Sequence, residues 1–107
     1  MAEILLRQAA STFLPAMVAY AQMIEGTDAE KAAFYYKKAA NKKDHKHLYL
    51  HPQRNAQYQL ALMYRDGRGV EPNNTLFKKY IKMAAKNNHP DAEAVLHPPT
   101  YNLDQLL

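Results

Sequence analysis

Residues Ala56 to Leu96 read AQYQLALMYRDGRGVEPNNTLFKKYIKMAAKNNHPDAEAVL, and the fold of the chain follows from that stretch. Ala56, Leu60, Ala61, Met63 and Tyr64 keep the three- and four-residue spacing of one helix face. Asp66-Gly67-Arg68-Gly69-Val70 then breaks the pattern as a glycine turn. A second apolar row follows at Leu76, Phe77, Tyr80, Ile81, Ala84 and Ala85, with Lys78, Lys79, Lys82 and Lys86 on the opposite, solvated face. His89-Pro90 opens a third segment.

An earlier copy begins at Ala16 and runs AMVAYAQMIEGTDAEKAAFYYKKAANKK. At an offset of 40, Ala16, Tyr20, Ala21, Met23 and Ile24 fall on Ala56, Leu60, Ala61, Met63 and Tyr64. At an offset of 45, Asp28, Tyr35, Tyr36, Ala39 and Ala40 fall on Asn73, Tyr80, Ile81, Ala84 and Ala85. The offset grows because the first copy lacks most of the turn from Asp66 to Glu71, and turns are where length changes cost least. Helix pairs repeated in fixed order predict a solenoid, an architecture that usually presents a surface to a partner.

These residues resemble the Sel-one-like repeat family, a branch of the tetratricopeptide-type helical repeats. Its pattern is matched in the second copy at Ala56, Leu60, Met63, Tyr64, Gly67, Gly69, Val70, Tyr80, Ala84 and Ala85. Departures fall at Ala61, Asn73 and Phe77, and the first copy keeps Asp28, Ala32, Tyr35, Ala39 and Ala40 without the Gly-x-Gly-Val turn. The resemblance implies an all-α, short right-handed solenoid of antiparallel helix pairs, about two and a half repeats long. It also implies a non-catalytic module that binds another protein, as adaptors, signalling scaffolds and toxin-neutralising immunity proteins of such families do.

The chain of 107 residues is large enough for one core. Its division is expected as a half-repeat over 1–10, repeat one over 16–43, a basic insertion over 44–55, repeat two over 56–89, and a partial repeat with a tail over 90–107. In the half-repeat, Leu5, Leu6, Ala9 and Ala10 stand where Tyr80, Ile81, Ala84 and Ala85 stand later, so this helix is expected to cover repeat one. Pro15 suits the start of the next helix, where its missing N–H is harmless. Thr27 and Glu30 read as a capping box for the helix after it. Within the insertion, Leu48, Tyr49 and Leu50 are expected to pack down at one end before Pro52 restarts the solenoid. Beyond His97-Pro98-Pro99, the leucines Leu103, Leu106 and Leu107 suit a helical turn over the last repeat.

With no cysteine, disulfides, thiolate zinc sites and thiol catalysis are excluded. The first residues lack the features of a secretory leader and no run is long enough to span a bilayer, so a cytoplasmic protein without membrane contact is expected. Net charge is +4, yet Lys37, Lys38, Lys42, Lys43, Lys46 and Arg54 against Asp44 give residues 37–54 a balance of +5. The basicity is therefore a local patch.

Asp66-Gly67-Arg68-Gly69-Val70 is not a phosphate loop, because it lacks the Lys-Ser/Thr pair and lies between helices rather than after a strand. Its glycines are read as positive-φ positions with Val70 plugging into the core. His45, His47 and His51 do not share one helical face and sit among cations, so no metal site is expected there. Without a nucleophile elbow or an inward carboxylate pair, neither an enzyme nor a cofactor is expected.

Tyr58 and Leu62 form an i, i+4 pair on the side of their helix away from Leu60 and Tyr64, and Val18 and Gln22 are their equivalents. With Arg65 they are expected to line the docking face of the first helices, since interfaces are enriched in tyrosine and arginine. Lys42, Lys43 and Lys46 are expected to attract a partner with an acidic surface. An apolar stripe of Val18, Tyr58 and Leu62 left in water also favours a homodimer. The alternative is a small nucleic-acid-binding protein that uses Lys37 to Arg54.

Overall fold

The computed structural model describes residues 2–43 and 48–97. Its helices are α1 (Ala2–Ala9), α2 (Leu14–Ile24), α3 (Ala29–Ala40), α4 (Leu50–Asp66), α5 (Asn74–Lys86) and α6 (Pro90–Leu96). Among the described residues there is no strand. Each helix packs on the next in chain order, and α2 also packs on α4, so both helices of the first pair meet the first helix of the second. The tail from Pro98 onward, with Leu103, Leu106 and Leu107, lies outside the described residues, as do His45, Lys46 and His47.

Alanine and tyrosine build the core in the way the repeat requires. Ala21, Ala32, Ala39, Ala56, Ala61, Ala84 and Ala92 are buried, and their small side chains let the helices approach closely. Tyr20, Tyr36 and Tyr80 are the largest fully buried side chains. Tyr64 and Tyr80 stack with ring centroids 6.0 Å apart, and the Tyr80 hydroxyl meets the Asn41 side chain at the end of α3. One hydroxyl of repeat two thus reaches the C-terminal end of the second helix of repeat one.

The helix starts repeat as well. Asp28 accepts from the Lys31 amide at 3.1 Å and Asn73 from the Leu76 amide at 3.0 Å, at positions related by the same offset of 45. Aspartate and asparagine are among the strongest N-caps. The capping box expected at Thr27 and Glu30 does not form. The Thr27 hydroxyl instead donates back to the Ile24 carbonyl at 3.2 Å, which moves the cap one residue on.

Three further expectations are corrected. Met23 is exposed, whereas Met17 and Val18 on α2 are buried. Leu5 points away from the core, and Leu6 and Ala9 pack against it. The helix of repeat two starts at Leu50, ahead of Pro52, with Tyr49 packed edge-on to Phe13 and Leu48 left exposed.

The glycine turn does more than reverse the chain. Gly67 ends α4 at φ +69°, donating its amide to the Met63 carbonyl, and Gly69 follows at φ +75°. A Cβ on Gly69 would lie 2.3 Å from the Ala29 carbonyl oxygen, so the turn of repeat two rests on the backbone that opens α3. Beside it, Arg68 pairs with Glu25 at the end of α2, and Glu25 also accepts from the Tyr36 hydroxyl at 2.9 Å. Burial and the neighbouring carboxylate push the Tyr36 hydroxyl pKa well up, which keeps it the donor. The turn therefore locks one repeat to the other.

Candidate protein-binding surface

The residues expected to dock a partner divide into two groups. Val18 is 4% exposed and is withdrawn from any surface. The physical reason lies in its equivalent, Tyr58, whose ring stacks on His89 with centroids 4.4 Å apart and planes 19° apart. This position faces along the solenoid toward the next unit rather than out of its side. After α2 the next unit begins with the long α4, which packs on α2. Tyr58 is accordingly half-buried, and the apolar stripe invoked for dimerisation is not an exposed stripe.

Gln22 and Leu62 are the outward pair, with Gln22 exposed and Leu62 half-buried at equivalent positions of α2 and α4. Arg65, one turn further along α4, is exposed and forms an ion pair with Asp66 at 2.9 Å. The hydrogen bond from Arg65 holds the Asp66 carboxyl below its ordinary pKa. At the far end, Lys43 is exposed and Lys42 is half-buried, while Lys46 lies outside the described residues.

What the sequence did not disclose is how firmly polar side chains fix α4 to its neighbours. Gln53 and Gln57, one turn apart on α4, are buried. The Gln53 amide donates to the carbonyls of Ala39, Ala40 and Lys42, at 3.1, 3.4 and 2.6 Å. Gln57 donates to the Ala40 carbonyl at 3.1 Å and accepts from the Asn87 amide at 3.0 Å. Arg54 reaches the carbonyls of Asn87 and Asn88, at 3.3 and 3.1 Å, and meets His51 Nδ1 at 2.9 Å. One helix, α4, thus satisfies the C-terminal carbonyls of both α3 and α5, groups that a helix leaves without internal partners. The signal available in sequence was the pair of glutamines at i, i+4 on an otherwise apolar face.

His89 completes the set. Its Nδ1 accepts from the amides of Asp91 and Ala92, at 3.2 and 3.4 Å, and so caps α6. Such a cap needs a neutral ring. Burial lowers the His89 pKa, Arg54 and His51 lower it further, and Asp91 opposes them. The unfolded chain, with an ordinary value of about 6.5, then binds the proton more readily than the folded one. Stability is complete above that value and falls as the pH drops through the interval below it. Thermal denaturation from about pH 7 to about pH 5 should show this loss, and His89→Asn, which caps without titrating, should reduce it.

Outside this face, Lys78, Lys82 and Lys86 form an exposed row along α5, a helix that carries no acidic residue. Lys37 occupies the equivalent of Lys82 on α3. A shallow groove between α5 and α6 is walled by Lys82, Lys86, Glu93 and His97 over Ala85 and Leu96.

No curated protein and no solved structure is significantly similar to the chain. A family model described as the Sel1 repeat matches residues 15–44 and 54–89. The matched segments are α2 with α3 and nearly all of α4 with α5, the two helix pairs locked through the glycine turn. Since the two matches together span more than half of its residues, the chain belongs to the Sel1 repeat family.

Proposed function

We propose that this protein is a small, non-catalytic adaptor or toxin-neutralising immunity protein, cytoplasmic in location, that grips a partner with an acidic surface. Sel1 repeats in general mediate protein–protein interaction. The observation that supports this reading most is the outer side of α2 and α4, where exposed Gln22 and half-buried Leu62 occupy equivalent positions of the two repeats. Such a face offers an aliphatic anchor within a polar surround, the pattern from which binding hot spots are made.

Gln22, Leu62 and Arg65 form the contact. Lys42, Lys43 and Lys46 steer the partner toward it. Charges at a rim act mainly on the association rate and its salt dependence. The double substitution Lys42→Glu, Lys43→Glu is therefore expected to slow association and leave dissociation nearly unchanged when the two rates are measured separately.

A second reading has its own observation, the exposed lysine row of α5. A polyanion such as RNA would meet that row, and its affinity would fall steeply with added salt. Retention on heparin that survives Lys42→Glu, Lys43→Glu but is lost on Lys78→Glu, Lys82→Glu would favour this second reading over the first.

A further inference from the structure

We propose that the groove between α5 and α6 seats an amphipathic helix of a partner protein, one that carries a carboxylate and, about two turns further on, a cation. Repeat one contains the same seat with its helix in place. There α5 packs along α4. The Asn41 amide at the end of α3 donates to the Tyr80 hydroxyl of α5 at 3.0 Å, and Asn87, the C-cap of α5, donates to the Gln57 side chain on α4 at 3.0 Å. The offset of 45 between α3 and α5 carries Asn41 to Lys86. Ala56 and Ala92 set an offset of 36 between α4 and α6, which carries Gln57 to Glu93. Lys86 and Glu93 are walls of the groove, so the groove is the seat of α5 repeated one unit on. Among the described residues α6 is the last helix, and no helix lies over it.

The differences between the two seats define the occupant. The floor is unchanged, with Ala85 and Leu96 in the places of Ala40 and Leu60. Ala40 and Leu60 are buried, whereas Ala85 and Leu96 are half-buried. An apolar row like Phe77, Ile81 and Ala84 of α5 suits both floors. The polar contacts are what change. Asn41 can both donate and accept, but Lys86 only donates; Gln57 can do both, but the Glu93 carboxylate only accepts.

A carboxylate at the place of Tyr80 would therefore meet Lys86, and an ammonium or guanidinium at the place of Asn87 would meet Glu93. Those places are seven residues apart, about two turns along one helix face. Opposite charges at fixed positions also set the direction of the helix, because a reversed one would bring like charges together. The alignment that puts Leu5 on Tyr80 puts Thr12 on Asn87, so the chain's own α1 offers neither charge. The occupant is thus a helix of another protein. This inference stands apart from the reading of α2 and α4 as the partner-binding face.

Two synthetic peptides of one composition test it, by fluorescence anisotropy with the full chain. Both copy residues 74–87, the first with Tyr80→Glu and Asn87→Lys, the second with Tyr80→Lys and Asn87→Glu. The first should bind about tenfold more tightly, since two attractions stand in place of two repulsions, each modest at a solvated rim. The double variant Lys86→Glu, Glu93→Lys, with its circular dichroism spectrum unchanged, should reverse the preference. Equal binding of the two peptides to the wild-type chain, or binding of neither, would overturn the proposal. So would a first peptide that binds only after Leu103→Asp, Leu106→Asp, Leu107→Asp, since the groove would then belong to the chain's own tail.

Discussion

Gly69→Ala should be the most damaging single substitution in the chain. The new Cβ would stand 2.3 Å from the Ala29 carbonyl oxygen and 2.5 Å from its carbon, and neither is the end of a side chain that could swing aside. To this is added the cost of φ +75° for a residue with a Cβ, on the order of 1–2 kcal/mol. Prising the two repeats apart adds about 1–3 kcal/mol, the range for overpacking. Gly67→Ala should cost less, because its Cβ would meet only the ring of Pro72, at 2.6 Å. Gly26 occupies the corresponding turn of repeat one with nothing within 4 Å of a new Cβ, so Gly26→Ala should be close to neutral. Urea denaturation of the three variants should rank them in that order. Equal losses at Gly69 and Gly26 would mean that the turn does not bear on its neighbour.

Gln53→Leu should come next, with a loss of about 2–3 kcal/mol. The substitution introduces an apolar side chain and removes the donor that meets the Lys42 carbonyl at 2.6 Å, together with one of the donors to the Ala39 and Ala40 carbonyls, and a buried acceptor deprived of its donor costs about 1–3 kcal/mol. Gln53→Glu should be worse at neutral pH, since a carboxylate turns lone pairs toward carbonyl oxygens. Acidification should restore part of that loss by giving the side chain a proton to donate. The midpoint of thermal unfolding, measured for both variants as a function of pH, checks the magnitude and the opposite pH trends.

The helix pairs and the glycine turn were legible in the sequence because each rests on a local rule. Apolar spacing marks the helices, and a Gly-x-Gly between two such rows marks a turn with positive φ. What was lost needed neighbours. On α2, LPAMVAYAQMI is apolar on nearly every side, so spacing alone did not separate the buried Met17 and Val18 from the exposed Met23. The proximity of Gly69 to Ala29 joins residues of different repeats and has no sequence signature at all. Tyr58 was read as a free aromatic because its partner, His89, lies on the next unit. Gln53 and Gln57 resembled ordinary surface residues, and only the packed end of α3 reveals what they bind.

On the proposed reading, affinity resides on the outer face of α2 and α4. The dissociation rate of the complex formed by Leu62→Asp measures that most directly. Leu62 is half-buried and recurs as Gln22, so the substitution removes an anchor without opening the core. Loss of a hot spot is worth about 2 kcal/mol, which corresponds to dissociation roughly thirtyfold faster at a nearly constant association rate. A Leu62→Asp complex that dissociates at the wild-type rate would contradict the account, and would do so decisively if Lys78→Glu, Lys82→Glu abolished binding instead.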